Sequence, residues 1–73
     1  MKNILNMAEI QLNGDVYKIH TRTTLSQLLN KLKISSNKVA IELNGKIADK
    51  TKYNKLFLKK NDKVEIVHFI GGG

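Results

Sequence analysis

The chain has no cysteine and no proline, only four aromatic residues and a single arginine. Without cysteine there is no disulfide framework, no thiolate nucleophile, no redox pair and no Cys-ligated zinc. Long apolar runs are missing too. Nothing approaches the ~20 residues of a membrane span, and Ile4-Leu5 after Lys2 is too short for the apolar region of a signal peptide. The compartment expected from these missing signals is the cytoplasm, or a plastid stroma. Length is scarce as well: 73 residues allow one small domain. That domain must be held by packing alone. So small a core leaves no room for a deep substrate pocket, so the chain does not read as a self-contained enzyme.

Acidic residues are few, six against thirteen basic ones, and the formal net charge is +7. Residues 46–63 hold seven lysines, including Lys59 and Lys60, against Asp49 and Asp62. Such a stretch can serve as a face for nucleic acid or for an acidic protein partner. It also fits a solvated surface in a compositionally biased sequence, because Lys, Asn and Ile together make 28 of the 73 residues. Nucleic-acid readers favour arginine forks and stacking aromatics. This chain has few of either, which weighs against nucleic acid.

The patterned sequence begins at Met7, leaving residues 1–6 as a loose extension or the product of an upstream start. Ile10 and Leu12 alternate with polar neighbours as in a half-buried strand. Asn13-Gly14 is a hairpin signal, since both residues tolerate positive φ. Val16 to His20 supplies the returning strand, with Tyr17 and Ile19 inward. Thr24 and Gln27 form a capping box, and Leu25, Leu28, Leu29 and Leu32 make one apolar helical stripe. The helix is expected to end at Ser35-Ser36-Asn37, with Ile34 under the sheet. Val39, Ile41 and Leu43 alternate again before a second Asn-Gly turn at residues 44–45. Tyr53, Leu56, Phe57 and Leu58 suit a helical turn and a short strand. Asn61-Asp62 marks another turn. The last strand, Val64 to Ile70, sets Val64 and Ile66 on one face and Glu65, Val67 and Phe69 on the other. These elements compose an α+β, two-layer domain.

That strand runs directly into Gly71-Gly72-Gly73. A terminal triple glycine fits a frayed end, a scar or a cut linker. It also has a physical use. Backbone without Cβ passes through a channel too narrow for other residues, and residues 69–73 extended would reach roughly 16–18 Å. A carboxylate at Gly73 could therefore enter a partner's active site while the folded body stays outside.

Three segments carry a family resemblance: Met7 to Gly14, the Val39–Gly45 strand and turn, and above all Asn61 to Gly73. Together they resemble ThiS, the sulfur carrier of thiamine (thiazole) biosynthesis, a ubiquitin-like β-grasp family. The resemblance implies a mixed sheet of four to five strands crossed by one main helix, spanning residues 7–70, with 71–73 as a glycine tail. It implies an E1-like adenylyltransferase (ThiF) that spends Mg-ATP to adenylate Gly73. A sulfur relay from a cysteine desulfurase would convert Gly73 to a thiocarboxylate, and thiazole synthase (ThiG) would consume that sulfur. The carrier itself would bind no cofactor or metal, would be monomeric alone and would act as a co-substrate. Gly71 and Gly72 would thread into the partner.

Val67, Phe69 and Ile70 are the candidate docking residues, although Val67 also suits ordinary sheet packing. Lys59 and Lys60 are candidates for a basic steering face. His68 reads as a structural or rim residue and His20 as surface. Two isolated histidines do not make a metal site. Two other functions share these features: the small subunit of molybdopterin synthase or a related ubiquitin-like modifier, and a basic β-grasp nucleic-acid module.

Overall fold

In the computed structural model, residues 6–70 are described; most of the 1–6 extension and the whole 71–73 tail lie outside them. Five strands, β1 (Met7–Leu12), β2 (Asp15–His20), β3 (Val39–Leu43), β4 (Lys46–Ile47) and β5 (Lys63–His68), form one sheet in the order β2-β1-β5-β3-β4. The chain builds it from hairpins. Asn13 and Gly14 adopt φ 51° and 90°, and Asn44 and Gly45 adopt 54° and 86°. Two successive positive φ values define the primed turn that matches strand twist. β5 then enters the centre, parallel to β1 (Leu12 opposite Val64) and antiparallel to β3 (Ile41 opposite Ile66).

One helix, α1 (Leu25–Leu32), crosses a single face of the sheet. Its capping box is complete: Gln27 N–H donates to Thr24 Oγ1 at 3.1 Å, and Thr24 N–H donates to Gln27 Oε1 at 2.9 Å. The stripe Leu25, Leu28 and Leu29 is buried against Ile10, Ile19, Val39, Ile41, Val64 and Ile66, with Tyr53 and Leu58 closing the side. Leu12, Tyr17, Leu32, Ile34 and Leu43 are partly buried around this core.

The helix stops earlier than its composition suggests. Lys33, at φ 60°, takes the left-handed cap position, its N–H bonded to the carbonyl of Asn30. Glycine usually fills that position, so the lysine gave no stop signal. Ser36–Lys38 form instead a short 3-10 turn capped by the Ser35 hydroxyl, which accepts the Asn37 N–H. The lysine-rich connection holds a second 3-10 turn, Lys50–Lys52, followed by Phe57, which makes an isolated β-bridge to Thr24. Among the described residues no helix is long and apolar enough to cross a membrane.

Candidate functional site

β5 carries the site, and its two halves are built differently. Val64 and Ile66 point into the core, at 0% and 7% exposure. The backbone around them is clamped from both sides. Asn13 donates its N–H to the Val64 carbonyl at 2.9 Å, and its side-chain Oδ1 accepts the Ile66 N–H at 2.7 Å. Asn44 Oδ1 accepts the Lys63 N–H at 2.8 Å, while its Nδ2 donates to Asp62 Oδ1 at 3.0 Å. Asp62 Oδ2 in turn accepts the Lys59 N–H at 2.7 Å. Turn residues chosen for positive φ thus also anchor the start of β5 with their side chains.

Beyond Ile66 the strand is held on one side only. Val67 pairs with Ala40 and His68 with Val39, and the Phe69 N–H donates to the Lys38 carbonyl at 2.9 Å. Here the side chains turn outward: Val67 is 53% exposed, Phe69 55% and Ile70 97%. Val67 and Phe69, two positions apart, share one face of the strand, and the core uses neither them nor Ile70. Lys50 Nζ lies 6.0 Å from the centre of the Phe69 ring, a cation–π contact. Lys50 belongs to the 3-10 turn capped by Asp49, whose Oδ1 accepts from Thr51 Oγ1 at 2.8 Å and from Thr51 N–H at 3.0 Å. These bonds, the hydroxyl's first, hold the Asp49 carboxyl below its ordinary value of 3.8.

The candidate residues fall into three groups. Val67, Phe69 and Ile70 are all exposed at the exit of β5. Lys59 and Lys60 are both exposed, in the turn that leads into the start of that strand. Gly71, Gly72 and Gly73 lie outside the described residues. His20 and His68 are exposed and separate, and the described residues contain no group of three or more His, Cys, Asp or Glu that could hold a metal. Sequence patterning did not identify Asn13 as an anchor for Ile66, or Lys50 as the neighbour of Phe69. Both contacts join residues far apart in the chain, where periodicity carries no signal.

A five-stranded mixed sheet with one helix across it, whose central strand leads out past an apolar patch, is a β-grasp domain of the ubiquitin-like class. A sequence model of the ThiS family matches residues 10–73. The chain is 38% identical to the sulfur carrier protein ThiS of Bacillus subtilis, with 88% of this chain and 98% of that one aligned. The solved thiamine biosynthesis protein ThiS of Geobacter metallireducens is similar at a TM-score of 0.77 and 28% identity, covering 89% of this chain and 99% of that one. The chain belongs to the ThiS family. It is also 40% identical, over 89% of its length, to part of a protein named thiazole synthase from Magnetococcus marinus, and spans 20% of that longer protein.

Proposed function

We propose that the chain is a sulfur carrier whose reacting group is the α-carboxylate of Gly73. A carboxylate is a poor electrophile. Attack of its oxygen on the α-phosphorus of ATP, with pyrophosphate leaving, would give an acyl-adenylate. The terminal sulfur of a persulfide on the relay would then displace AMP to give an acyl disulfide, and a thiol would cleave its S–S bond, releasing the thiocarboxylate and forming a disulfide with the relay's sulfur. The catalytic groups for these steps belong to an adenylyltransferase of the ThiF type, which would use Mg-ATP, and to a relay fed by a cysteine desulfurase. Thiazole synthase would then take the sulfur for the thiazole ring. In this reading Gly71 and Gly72 thread the partner's channel, Val67, Phe69 and Ile70 dock against its mouth, and Lys59 and Lys60 steer an acidic partner.

The observation that carries the reading is the outward patch Val67-Phe69-Ile70 placed immediately before the glycines of a ThiS-family chain. A thiazole synthase that contains a segment like this chain supports the choice of sulfur acceptor. That relationship favours the thiazole branch over a molybdopterin-synthase subunit. The reading places the carrier in the cytoplasm or a plastid stroma, beside the enzymes it serves. The test is deletion of Gly73. Thermal stability should be unchanged, while ATP–pyrophosphate exchange with the cognate adenylyltransferase should fall to background. Exchange at the full-length rate without Gly73 would refute the reading.

A further inference from the structure

The one-sided pairing of β5 leaves backbone groups with no partner among the described residues. In its antiparallel pairing with β3, the Phe69 N–H reaches the Lys38 carbonyl, so the odd-numbered residues of this segment bond toward β3. The even-numbered residues face the opposite side, as Ile66 shows by donating to Asn13. There β1 ends at Leu12, opposite Val64, and the chain turns away at Asn13-Gly14. No other described strand takes its place. The N–H and C=O of His68, and the C=O of Ile66, therefore form a free edge in the middle of the sheet. A bare edge of this kind is a template for an added strand. Proteins commonly blunt such edges with charge or proline, but residues 66–70 carry no Lys, Asp, Glu or Pro. Instead the exposed Val67, Phe69 and Ile70 flank it.

We propose that this edge binds by β-augmentation: an extended segment of the enzyme that receives the tail adds as a strand along residues 66–70, the end of β5 and the two residues beyond it. The proposal rests on the carrier reading and extends it. Four residue steps span about 13 Å, room for a short strand, which would occupy the line that β1 leaves empty. Main-chain bonds to His68 would supply affinity and register, and apolar side chains on alternate positions of the incoming strand would meet Val67 and Phe69. Continuity with the tail argues for this occupant, since an enzyme that has taken up residues 71–73 necessarily lies beside residue 70. A second copy of the chain, pairing edge to edge, is the competing occupant.

His68→Pro tests this directly. The substitution removes an N–H that makes no bond among the described residues, and leaves the Val67 and Phe69 bonds to β3 in place. Proline is tolerated on an edge when its missing N–H faces solvent, and Val67 before it is already extended. His68→Ala removes the imidazole and keeps the N–H. We expect the alanine variant to match the parent in KM with the adenylyltransferase, and the proline variant to show a KM raised about tenfold or more, as for loss of a buried interface hydrogen bond. Equal KM values for the two variants would overturn the edge proposal. Loss of adenylation in the alanine variant and the parent alike would instead overturn the carrier reading. Were the proline variant to unfold, hydrogen exchange on the parent decides: protection of the His68 amide on complex formation supports the added strand, and unchanged exchange refutes it. Concentration-dependent protection without the enzyme would assign the edge to a second copy.

Discussion

The start of β5 and its end, with the two residues that follow it, form one continuous stretch of chain, yet they answer to different demands. Residues 63–66 are bonded on both edges and bury their inward side chains, so their chemistry is that of a core. Residues 67–69 are bonded on one edge, and Val67, Phe69 and Ile70 present apolar groups to solvent. The comparison shows how a domain this small can stay folded and still leave exposed apolar groups at the end of a strand, the end proposed above for docking. Stability is concentrated where three loops clamp the start of the strand, and the far end is free of that duty.

The largest expected effects separate the halves outright. Val64→Ala opens a cavity in a fully buried site and should cost about 2 kcal/mol, a Tm drop of roughly 8–16 °C in a domain of this size. Phe69→Ala, by contrast, should shift stability by less than about 1 kcal/mol, little more than its cation–π contact with Lys50. It should instead weaken complex formation with the adenylyltransferase. Paired thermal melts and binding titrations check both, and a Phe69→Ala melt as low as that of Val64→Ala would erase the distinction.

A smaller effect is expected at the boundary between the halves. Asn13→Gly keeps the positive φ but removes the acceptor for the Ile66 N–H, and should cost about 1–2 kcal/mol. Asn13→Ala should cost more, because alanine also resists the left-handed backbone. Urea unfolding of the two variants separates the hydrogen bond from the turn. The smallest effect lies beside Phe69. Asp49 is held below 3.8 in the folded chain by Thr51, so its contribution is present above the unfolded value and lost as pH falls through the folded one. Amide shifts of Lys50–Lys52 should therefore move together below pH 3.8. In Asp49→Ala that titration should vanish with little change in Tm.

Local chemistry made much of the fold legible in the sequence. Asn-Gly pairs, a Thr-to-Gln capping box and a leucine stripe each act within a few residues, and the structure has the primed turns, the complete box and the buried stripe where they predict. The strand alternation also set Val67 and Phe69 on the face opposite Val64. What stayed hidden is non-local or lacks its usual residue. Asn13 reaches Ile66 across 53 positions and Asn44 reaches Lys63 across 19. The helix ends at a lysine in the left-handed region, where no glycine announced a stop. Nor could alternation reveal that β1 ends opposite Val64, which is what leaves the His68 edge open.

The central claim is that the bound half of β5 supports a free half that delivers Gly73. It is tested most directly by the intact mass of the full chain after incubation with the cognate adenylyltransferase, Mg-ATP and a sulfur donor. The account predicts a gain equal to one oxygen exchanged for one sulfur, located by fragmentation at Gly73. An unmodified Gly73, under conditions in which the same enzymes load another ThiS-family carrier, would contradict it.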